Sequence, residues 1–145
     1  MASKFARGKF TMTHPEKYVG TKVPTYRSSW EWHFMKFCDT NPYVTKWASE
    51  AVNIPYKDPL TGRQTIYVPD FFIEYVDKFS RRHLELIEVK PASQTILERV
   101  GKSKYNQAQF IKNQAKWAAA NIWCKQQGIK FRIVNENDMF SQTNA

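Results

Sequence analysis

No run of about 18 uninterrupted apolar residues occurs anywhere in this chain, so nothing in it reads as a membrane span. Lys4, Arg7 and Lys9 are followed by no apolar stretch, and the N-terminus does not read as a secretory signal. Cysteine is scarce: Cys38 and Cys124 each fall inside a helical pattern among apolar neighbours, which points to buried thiols in a reducing compartment rather than a disulfide. Of the three histidines, His83 has no second histidine or cysteine at a zinc-ligand spacing, so a zinc centre is not expected. A Ser–His–Asp arrangement finds no supporting context either, and no internal repeat is present. Acidic residues are outnumbered, 13 against 22 Lys and Arg.

The resulting net charge of +9 suits a polyanionic partner, nucleic acid being the commonest. Charge alone separates neither a nuclease from a basic structural protein nor DNA from RNA. The 145 residues are enough for one domain with its own core, and 42% apolar content with 15% aromatic is that of a globular chain.

Residues 1–27 carry Lys4, Arg7, Lys9, Lys17, Lys22 and Arg27 against the single acid Glu16. With Pro15, Pro24, Gly8 and Gly20 among them, they read as an extended basic arm that contributes little to the core and orders against a partner. Phosphate binding and simple solubilisation are both open to such an arm. A domain spanning 28–138 follows, and 139–145 form a polar tail. Ser28 or Ser29 caps a helix to about Thr40, with Glu31 in the first turn where free N–H groups favour a carboxylate. Asn41-Pro42 ends it. Val44 to Tyr56 reads as a strand holding Glu50, either a surface charge or an acid of a functional site. Lys57 to Gly62 supplies turn chemistry, and Thr65 to Tyr75 forms the returning strand. Pro69 removes a ladder donor there, so a kink should turn Asp70 out of the pleat. A basic turn at Ser80–His83 leads into a third strand ending at Lys90. A helix over Tyr105–Gln127 follows, its stripe of Phe110, Trp117 and Cys124 serving the core. Gly128 suits its C-cap, and Ile129–Asn135 closes the set as a strand.

The chemistry concentrates between Val68 and Lys90. Period-two alternation puts Glu88 and Lys90 on one face of their strand, and a neighbouring strand can set Asp70 beside them. Two carboxylates a few ångströms apart suit a hard, oxygen-loving cation such as Mg²⁺. A lysine alongside can hold a nucleophilic water or offset charge on a phosphate, which is the chemistry of metal-assisted phosphodiester cleavage.

At Pro69-Asp70 and Glu88-Val89-Lys90 the chain resembles the PD-(D/E)XK nuclease superfamily. The resemblance implies an α/β fold: a mixed sheet of four to five strands flanked by helices, in the order α-β-β-β-α-β. It implies Mg²⁺, or Mn²⁺ in its place, held by Asp70 and Glu88 with the Val89 carbonyl between them, and Lys90 at the nucleophile. The string Tyr26–Phe37 is similar to the first helix of members such as phage Holliday-junction resolvases, which implies a metal-side role for Glu31. Glu50 and Gln107 are second-tier candidates, Gln107 because the helix after the ExK strand often faces substrate, as Lys112 and Lys116 also could. Arg7, Lys9, Arg81, Arg82 and Lys104 are the implied phosphate contacts. Across roughly residues 7–135, YRSSWEWHF, NPYVTKWASEAVNIPY, YVPDFFIEY and IEVKP are similar in order and spacing to the head-completion nucleases of tailed phages. That likeness implies an endonuclease acting on double-stranded DNA in the host cytoplasm, late in capsid assembly, with portal or capsid proteins as further partners. The alternatives are a non-catalytic head-completion protein that binds DNA or the portal, and a transposon-end or junction-resolving nuclease.

Overall fold

The computed structural model describes residues 7–91, 101, 103–135 and 138. Lys4, Arg99, Lys102 and the tail at 139–145 lie outside them. Four strands make the central sheet, in the order β3-β6-β7-β8: β3 is Val44–Ser49, β6 Phe71–Val76, β7 Arg82–Val89 and β8 Lys130–Val134. β3, β6 and β7 run antiparallel, while β8 lies parallel to β7 and is reached through a long helix, as a parallel crossover requires. The sheet is therefore the mixed one expected. One helix, α1 (Ser29–Thr40), starts at Ser28, whose hydroxyl accepts from the Glu31 N–H at 3.2 Å. A second helix, α2 (Lys104–Gln127), ends at Gly128 with φ 71°, a left-handed cap that glycine adopts without steric cost.

Apolar side chains alternate across the sheet and build a core on each face. On one, Phe71, Ile73, Ile87 and Val134 pack with Phe34, Met35 and Cys38 of α1. On the other, Leu86 and Phe72 meet Trp117, Ala120 and Cys124 of α2. Both cysteines are free and buried.

Two expectations are corrected. Neither Val44–Tyr56 nor Thr65–Tyr75 is one continuous strand. The ribbon breaks at both, leaving β4 (Ile54–Lys57) and β5 (Gln64–Tyr67) as a separate two-stranded sheet. The break is held open by Glu50, which takes φ 49°, a backbone conformation that ends an extended run. Glu50 N–H donates to the Asp70 carbonyl across the gap at 2.9 Å.

Nor do residues 7–27 stand off as an arm. β1 (Gly8–Lys9) pairs with β2 (Thr25–Tyr26), and Phe10 and Tyr26 are buried in the α1-side core. Val19 N–H donates to the Trp47 carbonyl at 2.9 Å, so the segment covers the otherwise open edge of β3. The carboxylate of the fully buried Asp39 accepts from the Thr13 and His14 N–H groups, each at 2.8 Å, and ties the same segment to α1. Its apolar residues are spaced without helical or strand period among prolines and glycines, which is why pattern reading missed their burial.

Candidate active site

The break in the ribbon builds the site. Val68-Pro69-Asp70 lies between β5 and β6, so Asp70 leaves the pleat as the proline suggested. Phe71 pairs with Ile87, which places Asp70 beside the end of β7. There Asp70 Oδ2 accepts the Val89 N–H at 2.8 Å. Glu88, on the α2-facing side of β7, is only 7% exposed, and Lys90 Nζ stands 3.8 Å from its Oε2. Asp70, Glu88 and Lys90 are thus brought together.

The electrostatics are those of a site short of positive charge. Burial and the Glu88 charge push the Asp70 carboxyl well above the usual carboxylate range, against the pull of the Val89 N–H and Lys90. Burial raises Glu88 as well, opposed by Lys90, Tyr67, Asp70 and Lys116. Glu31, from the first turn of α1, feels burial most, which raises its carboxyl, while Ser28 and Arg27 pull it down. Its charge reaches Asp70. Glu50, at the ribbon break, is held by an ion pair with Arg27 and lies near Glu31.

All the donors are oxygens, and Asp70 and Glu88 repel one another in a low-dielectric corner. A divalent cation bound by two carboxylates, completing its shell with water and substrate phosphate, fits that pair. Among the described residues, no group of three or more Asp, Glu, His or Cys side chains stands ready to hold a metal ion. The pair rather than a closed cage is what the protein offers.

Other candidates fall further away. Gln107 donates to the Gly101 carbonyl at 3.3 Å and sits nine residues, about 14 Å along the helix, from Lys116. Lys104 is further still. Arg81 and Arg82 occupy the opposite end of β7, so Arg82 is roughly 20 Å from Glu88 at about 3.3 Å per residue. Arg82 is also paired with Glu74. By contrast, the β1–β2 register sets Gly8 opposite Tyr26, which carries Arg7 to the level of Arg27 at the acidic corner, with Lys9 nearby and exposed.

Sequence reading did not single out Arg27 or Tyr67. Arg27 acts on Glu50, Glu31 and Asp70 together. Tyr67 ends β5 three residues before Asp70 and is almost wholly buried against Glu88. Its place in YVPD was the available signal, but a strand tyrosine before a turn reads as packing. Lys116 stands over the Tyr67 ring, 5.7 Å from its centroid, within reach of the Glu88 charge.

The model of the TnsA-like endonuclease N-terminal family matches residues 41–136, a span that holds Glu50, Asp70, Glu88 and Lys90 but not Glu31. The chain is also similar to the head completion nuclease of Enterobacteria phage T4, with 32% identity over 142 residues, covering 91% of this chain and 92% of that protein.

Proposed function

The chain belongs to the TnsA-like endonuclease N-terminal family, among the PD-(D/E)XK nucleases, and from that premise we propose how it acts. It is an endonuclease of phage head completion. Its substrate is DNA, cut with little regard to sequence and with a divalent metal ion as cofactor. The observation that carries this reading is the placement of Asp70 on the Val89 N–H, directly beside the Glu88–Lys90 pair.

Asp70 and Glu88 would hold Mg²⁺, or Mn²⁺, with the Val89 carbonyl as a further oxygen. Bound there, the ion supplies charge neutralisation at the scissile phosphate and a more acidic water. Lys90 places its ammonium beside Glu88, where it orients the nucleophilic water or meets charge developing on the phosphate. Glu31 orients water from the α1 side. Arg27 keeps Glu50 engaged, which leaves Glu50 a supporting role behind Glu31. Arg7 and Lys9 would take phosphates at the mouth of the site. Arg81, Arg82 and Lys104 would reach flanking phosphates only, since a duplex spans such distances along its backbone. Phosphate contacts position a duplex without reading its bases. Portal or capsid proteins are the further partners of this role, and the host cytoplasm during assembly is its place.

Asp70→Asn and Glu88→Gln test the reading. Each should lower cleavage by at least about 100-fold, the scale of losing a principal electrostatic group, while DNA affinity holds or rises as a repelling charge goes. Normal cleavage by both variants would make these carboxylates structural, whereas infectious particles from a phage carrying either inactive variant would favour the non-catalytic alternative.

A further inference from the structure

Two buried donors in the core beside Glu88 have no well-formed hydrogen bond among the described residues. The Tyr67 hydroxyl and the Trp117 indole Nε1–H are both enclosed, with the residues 4% and 5% exposed. Among the described residues neither meets a partner at full hydrogen-bond geometry, although the hydroxyl faces the Glu88 carboxylate and the indole. Leaving a buried donor unpaired costs about 1–3 kcal/mol. A phenylalanine at 67 would pack the same ring against Phe131, whose ring lies 6.5 Å away edge-on, without that cost. Packing therefore accounts for the ring and not for the hydroxyl. The hydroxyl faces the Glu88 carboxylate and the Trp117 indole and feels the Asp70 charge, so the acceptors there are carboxylates of the proposed metal pair.

We propose that Tyr67, backed by the Trp117 indole, fixes the Glu88 carboxylate in its ligating orientation, making Tyr67 a positioning residue of the site. The inference rests on the metal-holding role of Asp70 and Glu88 proposed above. The protein supplies both donors from rigid parts of the fold. Tyr67 closes the short β4–β5 sheet, and Trp117 sits in the middle of α2 within the same core cluster. Outer hydrogen bonds of this kind orient a ligating group and raise metal affinity by about 10- to 100-fold. In the metal-free protein neither donor has a well-formed hydrogen bond, so the same residues should cost stability until an ion draws the carboxylate into place.

The test compares full-length wild type, Tyr67→Phe, Trp117→Phe and Asp70→Asn by calorimetric titration with Mg²⁺ and Mn²⁺, alongside thermal unfolding in chelator. Tyr67→Phe should bind either ion about 10- to 100-fold more weakly, while its metal-free melting temperature equals or exceeds that of wild type. Trp117→Phe should weaken binding in the same direction. Should wild type bind the ion, Asp70→Asn fail to bind it, and Tyr67→Phe and Trp117→Phe bind like wild type, the positioning role is overturned and the metal site stands. Should wild type bind no better than Asp70→Asn, both readings fall. A Tyr67→Phe protein whose metal-free melting temperature drops in step with its affinity would make the hydroxyl structural and also overturn the inference.

Discussion

Phe10→Ala asks whether the basic N-terminal segment belongs to the core. Phe10 is 6% exposed, its ring lies 6.2 Å from Trp32 and 6.0 Å from Trp47, and its N–H donates to the Pro24 carbonyl at 2.8 Å. Truncating such a side chain removes its transfer energy and leaves a cavity, together about 3–5 kcal/mol. Unfolding entropy of about 2.1 cal/mol/K per residue gives about 0.3 kcal/mol/K for a chain of 145 residues. A loss of about 4 kcal/mol then lowers the melting temperature by about 13 °C. Far-UV circular dichroism in chelator reads this directly, with Lys9→Ala as the control. Lys9 is exposed on the neighbouring position, and its loss should shift the midpoint by less than about 2 °C. A shift for Phe10→Ala below about 3 °C would refute the packing argument and restore the picture of a detached arm.

Asp39→Ala leaves the Thr13 and His14 N–H groups without their carboxylate and should cost about 3 kcal/mol, measured by denaturant unfolding. Burial alone would raise the Asp39 carboxyl, but those N–H groups prevail and hold it below the usual range. Its stabilisation is therefore present above about pH 4 and lost as pH falls through the lowered value. Asp70 has the opposite sign: its raised carboxyl makes the metal-free native state bind more protons than the unfolded chain, so stability falls as pH rises above about 4. Asp70→Asn should thus raise the melting temperature in chelator at pH 8, with the gain vanishing toward pH 4, as scanning calorimetry would show. Arg7→Ala combined with Lys9→Ala should flatten the slope of log K against log salt on duplex DNA by about 1.8, at about 0.9 per phosphate contact, and equally on unrelated sequences.

The carboxylate pair was legible because it depends on short-range geometry. Alternation along β7 fixes Glu88 relative to Lys90, and Pro69 forces Asp70 out of the ladder whatever the rest of the chain does. The order of helices and main strands was legible for the same reason, each carrying its own period or cap. What escaped reading depends on contacts distant in sequence. The break at Glu50 exists because the Asp70 carbonyl receives its N–H from across the ribbon. The burial of Phe10 and Tyr26 exists because β3 leaves an edge and α1 a face that no periodic segment covers. Arg81 and Arg82 looked near the site in sequence, but the length of an extended strand carries them to its far end. Tyr67 was hidden by its type, since an aromatic residue in a strand reads first as packing.

Incubating the purified protein with closed circular DNA, with Mg²⁺ and with excess chelator, tests the central claim most directly. Asp70 and Glu88 holding a divalent ion beside Lys90 should give open-circular and linear product in Mg²⁺ and none in chelator. Mn²⁺ should substitute, and Ca²⁺, with its larger and looser shell, should support little turnover. Cleavage of the circle that proceeds equally in excess chelator, or no cleavage under any of these ions, would contradict the account.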